Sequence, residues 1–185
     1  MRALPNMVVI SAADYEQAIL ATQAAAAYHG PVYIRLGREK VPQITTRRTP
    51  FIIGKANVLC EGQDVTIIAN GQMVYQALSA ANHLIQNGIC AEVIDCHSVK
   101  PLDRETILKS VAKTKAVVTA EEAQVAGGLG GAVAELLSQE MPAPVKRVGV
   151  LDRFGQSGTP GELMKLYGLT AEYIIRAAKN VISIK

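Results

Sequence analysis

The stretch DVTIIANGQMVYQALSAANHLIQNGICAEVIDC, Asp64–Cys96, decides the fold. Val65–Ala69 is a nearly unbroken apolar run, as a parallel strand covered by helices on both faces requires. Asn70-Gly71 is a turn signal. Beyond it Met73, Val74, Ala77, Leu78, Ala81, Leu84 and Ile85 recur at helical spacing and make one apolar face. Asn87-Gly88 stops that helix, and Ala91–Cys96 (AEVIDC) has strand character again. Strand, helix and strand in close succession predict a βαβ unit with parallel strands.

The same alternation continues toward the C-terminus. Pro101-Leu102-Asp103 opens a helix running to about residue 112. Ala116–Ala120 (AVVTA) is the next strand, followed by glycines 127, 128, 130 and 131 and a helix to about residue 139. Val145–Val150 is a further strand. Helices over 161–167 and 170–181 close the chain, the last with Thr170 as N-cap and a stripe of Ile174, Ile175, Ala178, Val181 and Ile182. Toward the N-terminus, residues 37–50 (GREKVPQITTRRTP) lack any amphipathic period and predict an extended linker. Phe51–Leu59 predicts a lead-in strand. Before the linker, Met7–Ile10 and Val32–Leu36 are strands flanking an alanine-rich helix over 14–28. Ser11 and Asp14 have the spacing of a capping box, with Asp in the usual Glu position, and Gly30-Pro31 is the stop. The predicted fold class is therefore α/β: a three-layer α/β/α unit with a mainly parallel sheet, preceded by the tail of another α/β domain. The expected division is 1–45 for that tail and linker and 46–185 for the complete unit.

Composition excludes several function classes. The chain has 185 residues, 49% hydrophobic and 19% charged, with a net charge of +3 from 19 basic and 16 acidic residues. No basic run is interleaved with aromatics, so no nucleic-acid surface is expected. Cys60, Cys90 and Cys96 have neither CxxC nor Cys/His ligand spacing and read as small hydrophobes of a reduced protein. No apolar run approaches the roughly 20 residues of a membrane span, and the N-terminus lacks a signal-peptide pattern. A cytoplasmic location without membrane contact is expected.

Several residues carry possible chemistry. The run AGGLGGAVAELL lacks G-x-G-x-x-G spacing, so its glycines are read as allowing close backbone approach rather than phosphate binding. Glu121-Glu122 follow a strand, where α/β proteins bind ligands. Adjacent residues of an extended chain point to opposite sides, so one structural and one solvated carboxylate is the plainer reading. His97 follows a strand without a nucleophile motif beside it and is read as a packing residue with a hydrogen bond; His29 and His83 are read as structural. Arg35 and Arg38 end the strand VYIRL, where a guanidinium suits bidentate phosphate capture. By spacing alone surface solvation is the simpler account of both.

Taken in order, GPVYIRLGREKVPQI, DVTIIANGQMVYQALSAANHL, DCHSVKPLD, VVTAEEAQVAGGLGGAVAELL and DRFGQSGTPGELMKLYGLT resemble the C-terminal section of transketolases, especially the split-gene bacterial and archaeal type. MRALPNMVVISAADYEQA resembles the preceding part of the pyrimidine-binding domain. The resemblance covers nearly the whole chain. It implies two-carbon ketol transfer between phosphosugars in the cytoplasm, as in the pentose phosphate pathway. Thiamine diphosphate serves as carbanion carrier and a divalent metal such as Mg sits on its diphosphate. It also implies that the C-terminal domain supports dimerisation and that a separate N-terminal section carries the cofactor-binding domains. The GDG…N diphosphate motif of the family does not occur in the sequence, so the isolated chain is expected to bind no cofactor or metal and to be inactive. No catalytic residue is carried over. Arg38, in Leu36-Gly37-Arg38, matches the arginine that holds the substrate phosphate. Ala123 stands where many relatives have histidine after the acidic pair. Met1 matches an internal methionine, so a fragment or alternatively started product is expected. Deoxyxylulose-phosphate synthases and 2-oxoacid dehydrogenase β-components share the domain and are the alternatives, beside a non-catalytic assembly module; LGREKVP and FGQSG resemble transketolases rather than those two enzymes.

Overall fold

The computed structural model describes residues 1–185. In chain order the elements are β1 (Val8–Ser11), α1 (Tyr15–Ala27), β2 (Val32–Arg35), β3 (Asn57–Cys60), β4 (Val65–Ala69), α2 (Met73–Ile85) and β5 (Ala91–Asp95). They continue with β6 (Ser98–Lys100), α3 (Arg104–Thr114), β7 (Val117–Gln124), α4 (Leu129–Glu140), β8 (Val145–Val150), α5 (Pro160–Leu166) and α6 (Ala171–Ile182). A five-stranded sheet has the order β3-β5-β4-β7-β8. Its strands are parallel except β3, which runs antiparallel to β5 at the edge.

The apolar run of β4 is buried at every position, because helices cover both faces of the strand. On one face Ile67 and Ala69 pack with Met73, Val74 and Leu84 of α2 and with Ile174 and Val181 of α6. On the other, Ile68 and Ile94 pack with Ile107 of α3 and with Val133 and Leu137 of α4. The structure is thus the three-layer α/β/α fold with a mainly parallel sheet. Ile85 departs from the predicted apolar face of α2: it is 62% exposed, while Ala80 is buried instead. It lies at the helix end, where the chain leaves the sheet for Asn87-Gly88.

A smaller sheet, β2-β1-β6, carries the N-terminal part. β1 and β2 are parallel, joined by α1, as predicted. The third strand was not legible: Ser98–Lys100, between the strand and the helix expected on either side of it, returns from the large sheet and pairs antiparallel with β1. Three residues are too few for a period signal, and the pairing is entirely non-local. The two sheets are consequently stitched together. Ser11 N–H donates to the His97 carbonyl (2.9 Å) and Gly71 N–H to the Ser11 carbonyl (3.3 Å).

Three local expectations change. Asp14, not Ser11, caps α1: its carboxylate accepts from Gln17 N–H. It also accepts from Ile44 N–H (2.6 Å), Thr45 N–H (2.5 Å) and Thr45 Oγ1 (2.6 Å), which pins the end of the extended linker. Burial pushes the Asp14 carboxyl up, but these donors outweigh it and hold it below the usual range. The lead-in strand is confined to Asn57–Cys60; Phe51 stacks on His97 instead, with ring centroids 4.3 Å apart. β7 extends through Gln124, so the acidic pair lies within the strand rather than after it.

Candidate functional site

Arg38 lies three residues beyond the end of β2, on an exposed segment at the seam between the two sheets. It makes no hydrogen bond or ion pair within the chain. Arg35, by contrast, faces Glu122 across the seam, with Nη1 3.3 Å from Oε2. The two arginines of VYIRLGR are therefore distinguished: one is paired, and one is free to meet a ligand.

Two clefts flank Arg38. One, of about 490 Å³, is walled by the start of α1 and the linker, including Asp14, Tyr15, Lys40 and Val41. The other, of about 470 Å³, is walled by Glu122, Gly158, Pro160, Leu163 and Met164 of the large unit. Arg38, Glu39 and Gln72 line both clefts. Volumes of this order suit small-molecule ligands. Gln72 was absent from the residues singled out in the sequence, since a lone glutamine after a turn matches no motif. A third cavity, of about 320 Å³, runs beside β8 and includes Lys146 and Arg153, but not Arg38.

The glycine cluster does not leave an open helix N-terminus, for a reason visible in its surroundings. Glu121 turns inward and fills the N-terminus of α4, accepting from Leu129 N–H and Gly130 N–H at 2.8 Å each. A side chain at Gly128 would run into this carboxylate, which explains the glycine. Burial pushes the Glu121 carboxyl up, opposed by the two amide donors and by Arg147 and Arg35. Glu122 points away toward Arg35, as expected for neighbours in an extended strand. Ala123, beside the pair, is only partly buried and presents a methyl group where an imidazole would bring a hydrogen-bonding ring.

His97 is fully buried, and burial lowers its imidazole to about 4 despite the opposing charge of Asp103. It is a neutral packing residue at neutral pH, although its Nε2 lacks the expected hydrogen bond. Asp95, two residues before it, is pushed up to about 7 by burial, against donation from Gln17 and Asn57. The Gln17 Nε2 donates to Asp95 Oδ2 at 2.6 Å and ties α1 to the large sheet. No group of three or more His, Cys, Asp or Glu side chains is placed to hold a metal ion. With the α4 N-terminus taken by Glu121, these residues do not fit a metal-bound diphosphate.

Residues 54–174 match the family profile of the transketolase C-terminal domain. The chain belongs to that family. It is 49% identical, over 98% of its length, to a 6-deoxy-6-sulfo-D-fructose transketolase subunit of Clostridium sp. (strain MSTE9), covering 56% of that protein. It is 39% identical, over 96% of its length, to one of the subunits of an apulose-4-phosphate transketolase from Phocaeicola vulgatus, covering 57% of it. A solved structure described as a split gene transketolase, inactive beta4 tetramer, superposes with a TM-score of 0.97 at 50% identity, over the whole chain and 61% of its own. The transketolase-family chain thus spans just over half the length of these relatives. No helix in it is long and apolar enough to cross a membrane.

Proposed function

We propose that this chain is the C-terminal section of a thiamine-diphosphate-dependent transketolase acting on sugars with an anionic end, normally phosphosugars, in the cytoplasm. Its contribution is a substrate contact through Arg38 together with support for dimerisation. Residues 1–45 are the end of a pyrimidine-binding domain and linker, and 46–185 the C-terminal domain. The observation that carries the proposal is the unpaired Arg38 guanidinium, open to two ligand-sized clefts. A charge-assisted contact there matches the tetrahedral anion at the end of a phosphosugar. The name of the Clostridium relative adds a sulfonated ketose to the candidate substrates.

Thiamine diphosphate supplies the carbanion carrier when bound, and we assign its seat, with the divalent metal, to a partner section. No chemical step is assigned to residues of this chain. Their part is binding and assembly: Arg38 orients substrate, and the segment 151–162, exposed throughout and bearing Phe154 at 97% exposure, offers apolar surface for a second copy of the chain.

A second reading, a non-catalytic assembly module, is favoured by the solved relative being described as an inactive tetramer. Mixing the chain with the N-terminal portions of the enzyme separates the two. Ketol transfer in the mixture, absent from either part alone, supports the enzyme section; assembly without activity supports the module. Calorimetric binding of thiamine diphosphate by the purified chain alone overturns the division of labour.

A further inference from the structure

We propose that Gln72 is a specificity-determining residue that binds the anionic end of the sugar substrate jointly with Arg38. The inference rests on the substrate-binding role of Arg38 and adds the first contact from the large α/β/α unit.

The placement of Gln72 follows from a clamped turn. β4 ends at Ala69, and Asn70 N–H donates to the Ala120 carbonyl at 3.2 Å. Gly71 then adopts φ +56°, a conformation favouring glycine, and donates to the Ser11 carbonyl at 3.3 Å. A Cβ on Gly71 would lie 2.9 Å from Ser11 Oγ. The turn is therefore pressed onto the end of β1, and the next side chain is delivered to the seam. There Gln72 faces the same two clefts as Arg38.

The amide is free to serve a ligand. The sole side-chain hydrogen bond of Gln72 is from Nε2 to Met164 Sδ at 3.7 Å, and a thioether is a weak acceptor. The anion preference comes from one unpaired guanidinium, that of Arg38. Among cleft residues, Asp14 is engaged by Thr45 and Ile44, and Glu122 by Arg35. Asp14 keeps its negative charge because its partners are neutral donors, so Arg38 and Lys40 are balanced by Asp14 and Glu39, and the anion contact rests on the unpaired Arg38 guanidinium itself. A neutral amide beside that guanidinium can donate to a phosphate oxygen and accept from a sugar hydroxyl, whereas a carboxylate there would repel the anion. The ligand class is that of the proposed function, a polyhydroxy carbonyl compound with an anionic end, normally a phosphate monoester.

The test titrates the isotopically labelled chain with inorganic phosphate and with glycerol 3-phosphate, following the Gln72 side-chain amide and the Arg38 Nε–H by NMR. Both resonances are expected to shift with one common Kd. Gln72→Leu is expected to weaken that Kd by about fivefold, the loss of one hydrogen bond, and Gln72→Glu to weaken it further, with Gln72→Asn retaining part of the affinity. In the enzyme reconstituted with its N-terminal section, Gln72→Leu is expected to raise KM for a phosphorylated ketose and not for an unphosphorylated hydroxyketone. Movement of the Arg38 resonance with a static Gln72 amide overturns this inference alone. Silence of both overturns the Arg38 contact as well. Because the wild-type spectrum decides the matter, a variant that fails to fold does not shield the inference.

Discussion

Two buried groups two residues apart, Asp95 and His97, titrate in opposite senses, and their opposition is testable. Asp95 is raised from 3.8 to about 7, chiefly by burial. Between those values the folded chain keeps a proton that the unfolded chain has released, so stability falls as pH rises through the window. His97 is lowered from 6.5 to about 4, again chiefly by burial. Between those values the unfolded chain binds a proton that the folded chain does not, so stability rises with pH. At about 1.4 kcal/mol per pH unit, Asp95 removes about 4 kcal/mol between pH 4 and 7 and His97 returns about 3 kcal/mol between pH 4 and 6.5. In the wild type the two slopes largely cancel. Asp95→Asn keeps an oxygen for the Gln17 amide donor and abolishes one slope, while His97→Gln abolishes the other.

The assay is urea unfolding at half-unit steps from pH 4 to 7.5, with each variant plotted as its difference from wild type. The difference eliminates the remaining carboxylates common to both chains. Relative to wild type, Asp95→Asn should gain stability as pH rises. His97→Gln should lose it, and the two difference curves should have opposite slopes over pH 4.5–6.5. Flat differences for both variants would refute the burial argument. Parallel slopes would refute the assignment of opposite protonation changes.

Three other perturbations follow from the geometry. Glu121→Ala strands the Leu129 and Gly130 N–H groups in a buried helix start; at roughly 1–3 kcal/mol each the loss should be about 2–6 kcal/mol. It should appear as a lower urea midpoint with unchanged slope, and an unchanged midpoint would contradict the capping role. Gly71→Ala and Gly88→Ala both place alanine at positive φ, +56° and +74°, costing roughly 1–2 kcal/mol. Only Gly71 also presses on Ser11, so its variant should melt lower than the Gly88 variant in a calorimetric scan; equal melting temperatures would remove the clamped turn. Arg38→Ala in the reconstituted enzyme should raise KM for phosphorylated sugars about tenfold to a hundredfold, the equivalent of a charged hydrogen bond worth roughly 1.5–3 kcal/mol. Unchanged steady-state kinetics would exclude the contact.

Much of the fold was legible because it is local. The apolar run 65–69, the stripe through α2 and the Asn-Gly stops determine a βαβ unit without reference to distant residues. What escaped was the non-local pairing. β6 has three residues whose reason for being extended is β1, nearly ninety positions earlier in the chain. Asp14 was placed one role away from its true one, because Ser11 looked equally good as a cap until the linker came back to supply three further donors. The acidic pair, in contrast, was separable in advance: alternation along a strand already sends Glu121 and Glu122 to different sides.

The same distinction governs the candidate site. Arg38 was found through a matching segment, whereas Gln72 became visible only when Gly71 met Ser11 and brought the two sheets into register. Each wall of the two clefts is ordinary by itself: a loop after β2, a turn after β4, and the start of α5. Their conjunction depends on the short strand β6, which holds the large sheet against β1 and fixes the seam from which both clefts open. The proposed substrate contact and the structural integrity of the seam therefore rest on the same residues. Weakening the seam through Gly71 should disturb the geometry at Gln72 before it disturbs the α/β/α core, whose packing on both faces of β4 includes neither residue.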